Sequence, residues 1–213
     1  MARVGNRLAI LRLLVQRGPV SRTDIGSVTG LTSGAVSRIT AGLIGEGLLR
    51  EIGSARQPAR AHVGRAPALL DLDEKLAVIG VHIQPDAISA VLVSPKGRVL
   101  ERERVAVSAP LLPEAAVEHA AAIVEGLLDR ARRGHHAPPV ATGIGVPGIV
   151  DAALGHVRYS AVLGWKNVSI QRLLQERISS IPVTVTHNVS SMALAAHWFG
   201  PAEVRAAEDL LLV

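Results

Sequence analysis

The four residues Thr29-Gly30-Leu31-Thr32 constrain this chain more than any other stretch. They lie between two short segments whose apolar residues recur at helical spacing. They combine a glycine, which permits the left-handed backbone of a helix end, with a threonine that can cap the next helix. Two short helices joined by so tight a turn form a helix-turn-helix, whose second helix can enter the major groove of duplex DNA. Ser21 is a good cap for the first of the pair, expected to run to about Val28, and Thr32 or Ser33 for the second, expected to run to about Gly45. Upstream, residues 6–17 (NRLAILRLLVQR) carry a broad apolar stripe with Arg7, Arg12 and Arg17 at its margins, a further helix that Gly18-Pro19 ends.

On the helix expected over 33–45, Val36, Ile39, Thr40 and Leu43 share one face. Gly34, Arg38, Ala41 and Gly45 lie opposite, with Ser37 at the flank. The first face should pack on the two preceding helices and the second should meet DNA. Candidate DNA contacts are therefore Ser33, Gly34, Ser37, Arg38 and Ala41. The small residues allow close approach to groove walls, while the hydroxyl and guanidinium groups can bond phosphates or base edges. Leu48–Ile52 and Pro67–Leu72 read as two strands, and the basic segment between them as a wing whose Arg56, Arg60 and Arg65 reach a minor groove or ride the phosphates.

Charge divides the chain in the same place. Residues 1–70 hold ten arginines and no lysine against Asp24, Glu46 and Glu51, a surplus of seven, whereas the whole chain carries +5, which leaves the remainder at −2. A basic head on a slightly acidic body fits a polyanion-binding module joined to something else. The chain contains no cysteine, which excludes disulfides and cysteine zinc sites and fits a reducing cytosol. Its apolar runs fall well short of the roughly 18 residues that span a bilayer, and no signal-peptide pattern opens it. We expect a cytoplasmic protein with no membrane partner. All four aromatic residues, Tyr159, Trp165, Trp198 and Phe199, lie in the last third, so the N-terminal core must be aliphatic.

From Asp73 onward the pattern changes. Leu76–Ile83, Ala87–Val93 and Val99–Val105 read as three strands joined by short turns. A helix over about Leu112–Arg132 follows, broken at Gly134. Then come a buried strand at Val140–Val146, a helix near Ser169–Ile178, a strand at Val183–Thr186, a helix at Val189–Phe199 and an apolar end, Leu210–Val213. This order predicts an α/β layer fold with a mixed sheet. His135-His136 has no partner at ligand spacing and reads as a solvated loop rather than a metal site. His187 and Asn188 read equally well as ligand-facing residues or as the cap of the following helix.

An ordered set of motifs gives the whole chain a resemblance to the ROK family (repressors, open reading frames and sugar kinases), in its regulator branch. GLTSGAVSRITAGLIGEGLL is similar to that family's helix-turn-helix, and Gly64-Arg65-Ala66-Pro67 to the segment leading out of its wing. Gly80-Val81-His82-Ile83, Gly145-Val146-Pro147-Gly148-Ile149-Val150-Asp151, Gly155-x-Val157, Leu163-Gly164-Trp165 and Val185–Gly200 follow in the family's order. The resemblance implies a winged helix-turn-helix over residues 1–72. It implies a partial α/β actin-like (ribonuclease-H-like) domain over 73–213, covering about half of the family's sugar-binding domain. It also implies a double-stranded DNA operator, a sugar or sugar-phosphate effector near Gly148, Trp165, His187 and Asn188 (Trp165, like Trp198, reading from the residues alone as a core position), and room for a homodimer.

The departures from the family carry equal information. Its sugar kinases have an Asp-x-Gly-Gly-Thr phosphate loop where this chain has His82-Ile83-Gln84-Pro85-Asp86, without the glycines that let backbone N–H groups approach a phosphate. The position of the family's catalytic Asp holds Asn188, whose carboxamide can bond a hydroxyl but cannot take its proton. The family's Glu eight residues on is Ala196, and Val162 stands where an Asn often precedes Leu-Gly-Trp. We therefore expect a repressor-like regulator without catalytic residues or cofactor. A sugar kinase carrying a DNA-binding head, or a DNA-binding remnant that senses nothing, are the competing readings.

Overall fold

Helix ends are set by residues that satisfy the first free N–H groups, and two such caps organise the first seventy residues. The computed structural model describes residues 2–54 and 68–207, which divide into two compact units, 1–73 and 74–213. In the first unit α1 (Ala2–Arg17) is followed by the two-residue strand β1 (Val20–Ser21), α2 (Arg22–Thr29) and α3 (Ser33–Gly45). Ser21 and Asp24 form a reciprocal capping box at the start of α2. Gly30 ends that helix with φ +70, a left-handed conformation costly for any residue with a Cβ. Thr32 then caps α3, its hydroxyl accepting the Ala35 N–H at 3.3 Å.

Strands β2 (Leu49–Ser54) and β3 (Ala68–Leu72) form an antiparallel pair in which Glu51 faces Leu70, and β1 adds to the far side of β3. The core of this unit is wholly aliphatic: Ile10, Leu13, Leu14, Ile25, Val36, Leu43, Leu49, Leu70 and Leu72. Arg22 ties three elements together, donating through Nε to the Thr40 hydroxyl at 3.3 Å and through Nη2 to Glu51 at 2.7 Å. Arg7 joins α1 to Glu46 at the end of α3. The segment expected to form a wing, with Arg56, Arg60 and Arg65, lies outside the described residues, as does Leu210–Val213.

The second unit begins with the meander β4 (Ala77–Ile83), β5 (Ala87–Val93) and β6 (Val99–Ala106), then α4 (Pro113–Arg130) and β7 (Pro139–Val146). Next come β8 (Ile149–Asp151), β9 (His156–Ser160), β10 (Trp165–Val168), α5 (Ile170–Arg177), β11 (Val183–His187), α6 (Asn188–Phe199) and α7 (Ala202–Ala206). The main sheet has the order β11-β7-β4-β5-β6, parallel from β11 to β4 and antiparallel beyond. Alternation decides its faces. Ile79, Val81, Ile83, Ile88 and Leu92 are buried in one core with Val117, Ile123, Val124 and Leu127 of α4. Gly80, His82, Ser89, Val91, Gly143, Gly145, Thr184 and Thr186 fall on the opposite face.

Three differences from the sequence-based expectation have clear causes. The helix expected to reach Arg132 is α-helical to Arg130, and the segment Ala131–His135 that continues it is kinked at Gly134, whose φ of +85 is left-handed. Strands β8, β9 and β10, not foreseen, form a separate antiparallel sheet whose strands of three to five residues are too short for a periodic signal. The last long helix starts at Asn188, with His187 as the preceding cap residue, so Asn188 is not the N-cap. No helix among the described residues is long and apolar enough to cross a membrane.

Candidate functional site

In the first unit, the amphipathic pattern of α3 separates its residues cleanly. Val36, Thr40 and Leu43 are fully buried, whereas Ser33, Gly34, Ser37, Arg38 and Ala41 are exposed. The Thr40 hydroxyl donates within its own helix, to the Val36 carbonyl at 2.9 Å or the Ser37 carbonyl at 3.2 Å. With Arg22 bonded to the same oxygen, this fixes the roll of α3 about its axis. The exposed face thus presents two hydroxyls, a methyl and one guanidinium. Arg7 and Arg22 are held in ion pairs with Glu46 and Glu51, while Arg38 extends from the helix toward solvent.

In the second unit, the open face of the sheet and α6 line an open cavity of about 600 Å³. Its floor is two cross-strand rows: Val91-Gly80-Gly143-Thr184, and Ser89-His82-Gly145-Thr186. Three of those eight positions are glycine, so the depth of the cavity comes from missing side chains. Met192 and Ala195 of α6 complete an apolar wall. At one end the polar groups converge: Asn188 Nδ2 lies 3.4 Å from His82 Nε2, and Thr186 and Ser191 stand alongside in the lining. Burial pushes the His82 pKa below its ordinary value, which favours the neutral ring that can accept the Asn188 N–H. Asn188 Oδ1 in turn accepts the Val189 N–H at 2.9 Å. No Asp, Glu, Lys or Arg lines this cavity among the described residues.

Of the four expected effector residues, the structure brings only Asn188 into this cavity. Trp165 takes the core position: it is 3% exposed, packed in the main core, and its Nε1 donates to the Leu111 carbonyl at 2.7 Å. Gly148 has a structural task. At φ +122 it lies so close to β9 that a Cβ would stand 2.4 Å from the Tyr159 carbonyl oxygen. His187 lies outside the lining, and its carbonyl accepts the Ser191 hydroxyl at 3.4 Å. Asp151, in the same loop motif as Gly148, closes the β8–β9 hairpin. Its carboxyl is held below the usual range chiefly by the Arg158 hydrogen bond at 2.9 Å, against a smaller desolvation effect and with help from the Leu154 N–H. Sequence reasoning did not single out His82 or Ser191 as site residues. The usable signal was a histidine near the end of an otherwise apolar strand. No three His, Asp or Glu residues gather as a metal site among the described residues.

The ROK family profile matches residues 78–211, more than half of the sequence. The chain belongs to the ROK family. Among curated relatives, the xylose repressor of Caldicellulosiruptor bescii is 28% identical over 207 residues, covering 92% of this chain and 48% of that protein. The DNA-binding transcriptional dual regulator NagC of Escherichia coli K12 is 29% identical over 210 residues, covering 98% of this chain and 49% of its own. A solved ROK family transcriptional regulator, a homolog of the E. coli MLC protein, superposes with a TM-score of 0.72 at 18% identity, over 92% of this chain and 49% of that one. At that identity the likeness shows the fold. The inorganic polyphosphate/ATP-glucomannokinase of Arthrobacter sp. strain KM gives a TM-score of 0.50 at 32% identity, over 59% of this chain and 49% of the kinase. The second unit therefore carries the sugar-kinase-like, actin-like ROK fold. This ROK chain spans about half the length of the relatives it matches.

Proposed function

We propose that this chain is a DNA-binding transcriptional regulator, a repressor of carbohydrate-related genes. Residues 1–72, within its first unit, act as a winged helix-turn-helix, and residues 73–213 form a sugar-kinase-like half domain that senses rather than catalyses. The observation that carries the reading is the exposed face of α3, where Ser33, Gly34, Ser37, Arg38 and Ala41 stand opposite a fully packed stripe. Two curated relatives matching more than nine-tenths of the chain are named as a repressor and a DNA-binding regulator, which supports it. Arg56, Arg60 and Arg65 of the basic segment add salt-sensitive phosphate or minor-groove contacts. Two copies on a two-fold operator are the simplest assembly, and the DNA partner puts the protein in the cytoplasm.

The effector is a neutral carbohydrate seated at the polar end of the cavity. Its hydroxyls, which both donate and accept, suit His82, Thr186, Asn188 and Ser191. Phosphoryl transfer is not part of the reading. Asn188 cannot take a proton from a hydroxyl, and Gln84 and Pro85 replace residues that would cradle a phosphate. Fluorescence anisotropy with labelled operator duplexes tests the DNA arm. Arg38→Ala should weaken binding about tenfold or more, and unchanged affinity would remove α3 from the interface. Calorimetry with hexoses and hexose phosphates tests the sensor, where tighter binding of the phosphates would contradict the neutral-sugar assignment. Incubation with ATP, magnesium and hexoses should release no ADP.

A further inference from the structure

Helix α3 carries more glycine than its own packing requires. Gly34, Gly42 and Gly45 are all exposed, and none has the positive φ that calls for glycine. A Cβ built on any of them would meet nothing within 4 Å. Glycine is, after proline, the poorest residue for a helix, so the protein's own interior gives no reason for this bareness. At about 100° per residue, Gly34, Ala41 and Gly45 form the crest of the helix, opposite Val36 and Leu43. Ser37 and Arg38 stand on either side of that crest. Arg38 is the one exposed residue of α3 whose side chain extends beyond a hydroxymethyl group.

We infer that α3 reads its operator with two residues, Arg38 through a guanine and Ala41 through a thymine methyl next to it. The inference rests on the DNA-binding reading above and names the bases that reading leaves open. A bare crest lets the helix backbone approach the floor of the major groove, where the glycines exclude nothing and select nothing. Arg38 then has the reach and the paired donors for guanine O6 and N7, the commonest specific contact in that groove. Ala41 follows three residues later, a rise of about 4.5 Å, comparable with the roughly 3.4 Å between base steps. Its methyl at the crest matches the one apolar group that a base presents there, the thymine 5-methyl. Ser37 sits on the other flank, and its short hydroxyl can donate to a phosphate or bond the edge of any base, so it adds position more than choice.

The test is selection of bound sites from a random duplex library with the full chain, followed by affinity measurements on the selected site. The wild type should enrich guanine at one position of each half-site, with thymine at an adjacent step. Arg38→Ala should flatten the preference at the guanine alone and weaken the selected site by about ten- to a hundredfold. Arg38→Gln should move that preference to adenine, which glutamine pairs bidentately. Replacing the thymine by deoxyuridine should weaken wild-type binding by about fourfold, one methyl's worth of burial. If Arg38→Ala instead lowers affinity evenly on all sequences and reduces the salt dependence by about one ion, Arg38 holds a phosphate. The inference then falls while the DNA-binding reading stands. A wild type that retains no duplex overturns both.

Discussion

Asn188 Nδ2 lies 3.4 Å from His82 Nε2, across 106 positions of sequence. The contact needs an unprotonated ring nitrogen, and burial lowers the His82 pKa. The folded state thus holds this proton less tightly than the unfolded chain, whose histidine titrates near 6.5. Stability from this group is complete above that pH and is lost as pH falls through the lower folded value. Urea unfolding of the second unit, followed by tryptophan fluorescence, should weaken from pH 7.5 to 5.5 more steeply in the wild type than in His82→Gln. Parallel pH profiles would show that His82 titrates normally.

Thr142 is fully buried on β7, and its hydroxyl oxygen has no hydrogen-bond partner. Valine has nearly the same shape without the polar group that burial penalises. Thr142→Val should stabilise the second unit by about 1 kcal/mol, seen as a higher urea midpoint with an unchanged slope. A lower midpoint would mean that the hydroxyl has a partner, such as a buried water.

Gly148→Ala should do the reverse. Its φ of +122 is closed to alanine, and the new methyl would collide with backbone of Tyr159 and Ser160 that cannot swing aside. The expected loss is about 2–4 kcal/mol, with red-shifted emission as Trp165, on the neighbouring strand β10, loses its dry surroundings. Wild-type stability together with unshifted emission would contradict the close approach.

Removing the cap of α2 should act on the first unit alone. Ser21 Oγ accepts the Asp24 N–H at 3.1 Å, and its loss in Ser21→Ala costs about 1 kcal/mol. The two tryptophans lie in the second unit, so hydrogen exchange is the suitable reading. Amides of α2 should exchange about fivefold faster while those of β4 keep their rates. Equal protection of α2 in both proteins would show that the box contributes nothing.

Much of this architecture could be read from the chain before any coordinates, and the pattern of success is physical. Helices α2 and α3 announce themselves through Ser21, Gly30 and Thr32, because caps and turns are local chemistry. The meander β4–β6 and strands β7 and β11 follow from runs of branched residues between turns. The sheet of β8, β9 and β10 was invisible because its exposed row, Ile149, Tyr159 and Lys166, is neither polar nor periodic enough to mark a face. The site was only partly legible for a similar reason. Asn188 could be picked out, but whether Trp165 faced a ligand or the core depended on the Leu111 carbonyl 54 positions away. His82 became notable only once β4 and α6 were seen to converge.

The floor of the cavity in the second unit is built from Gly80, Gly143 and Gly145. At Gly143 the nearest obstacle to an added carbon is the Thr184 hydroxyl, 4.0 Å away. Alanine there would raise the floor by a methyl while leaving every strand-to-strand hydrogen bond in place. The depth of the cavity is therefore adjustable in single-carbon steps, with the surrounding framework left as it is.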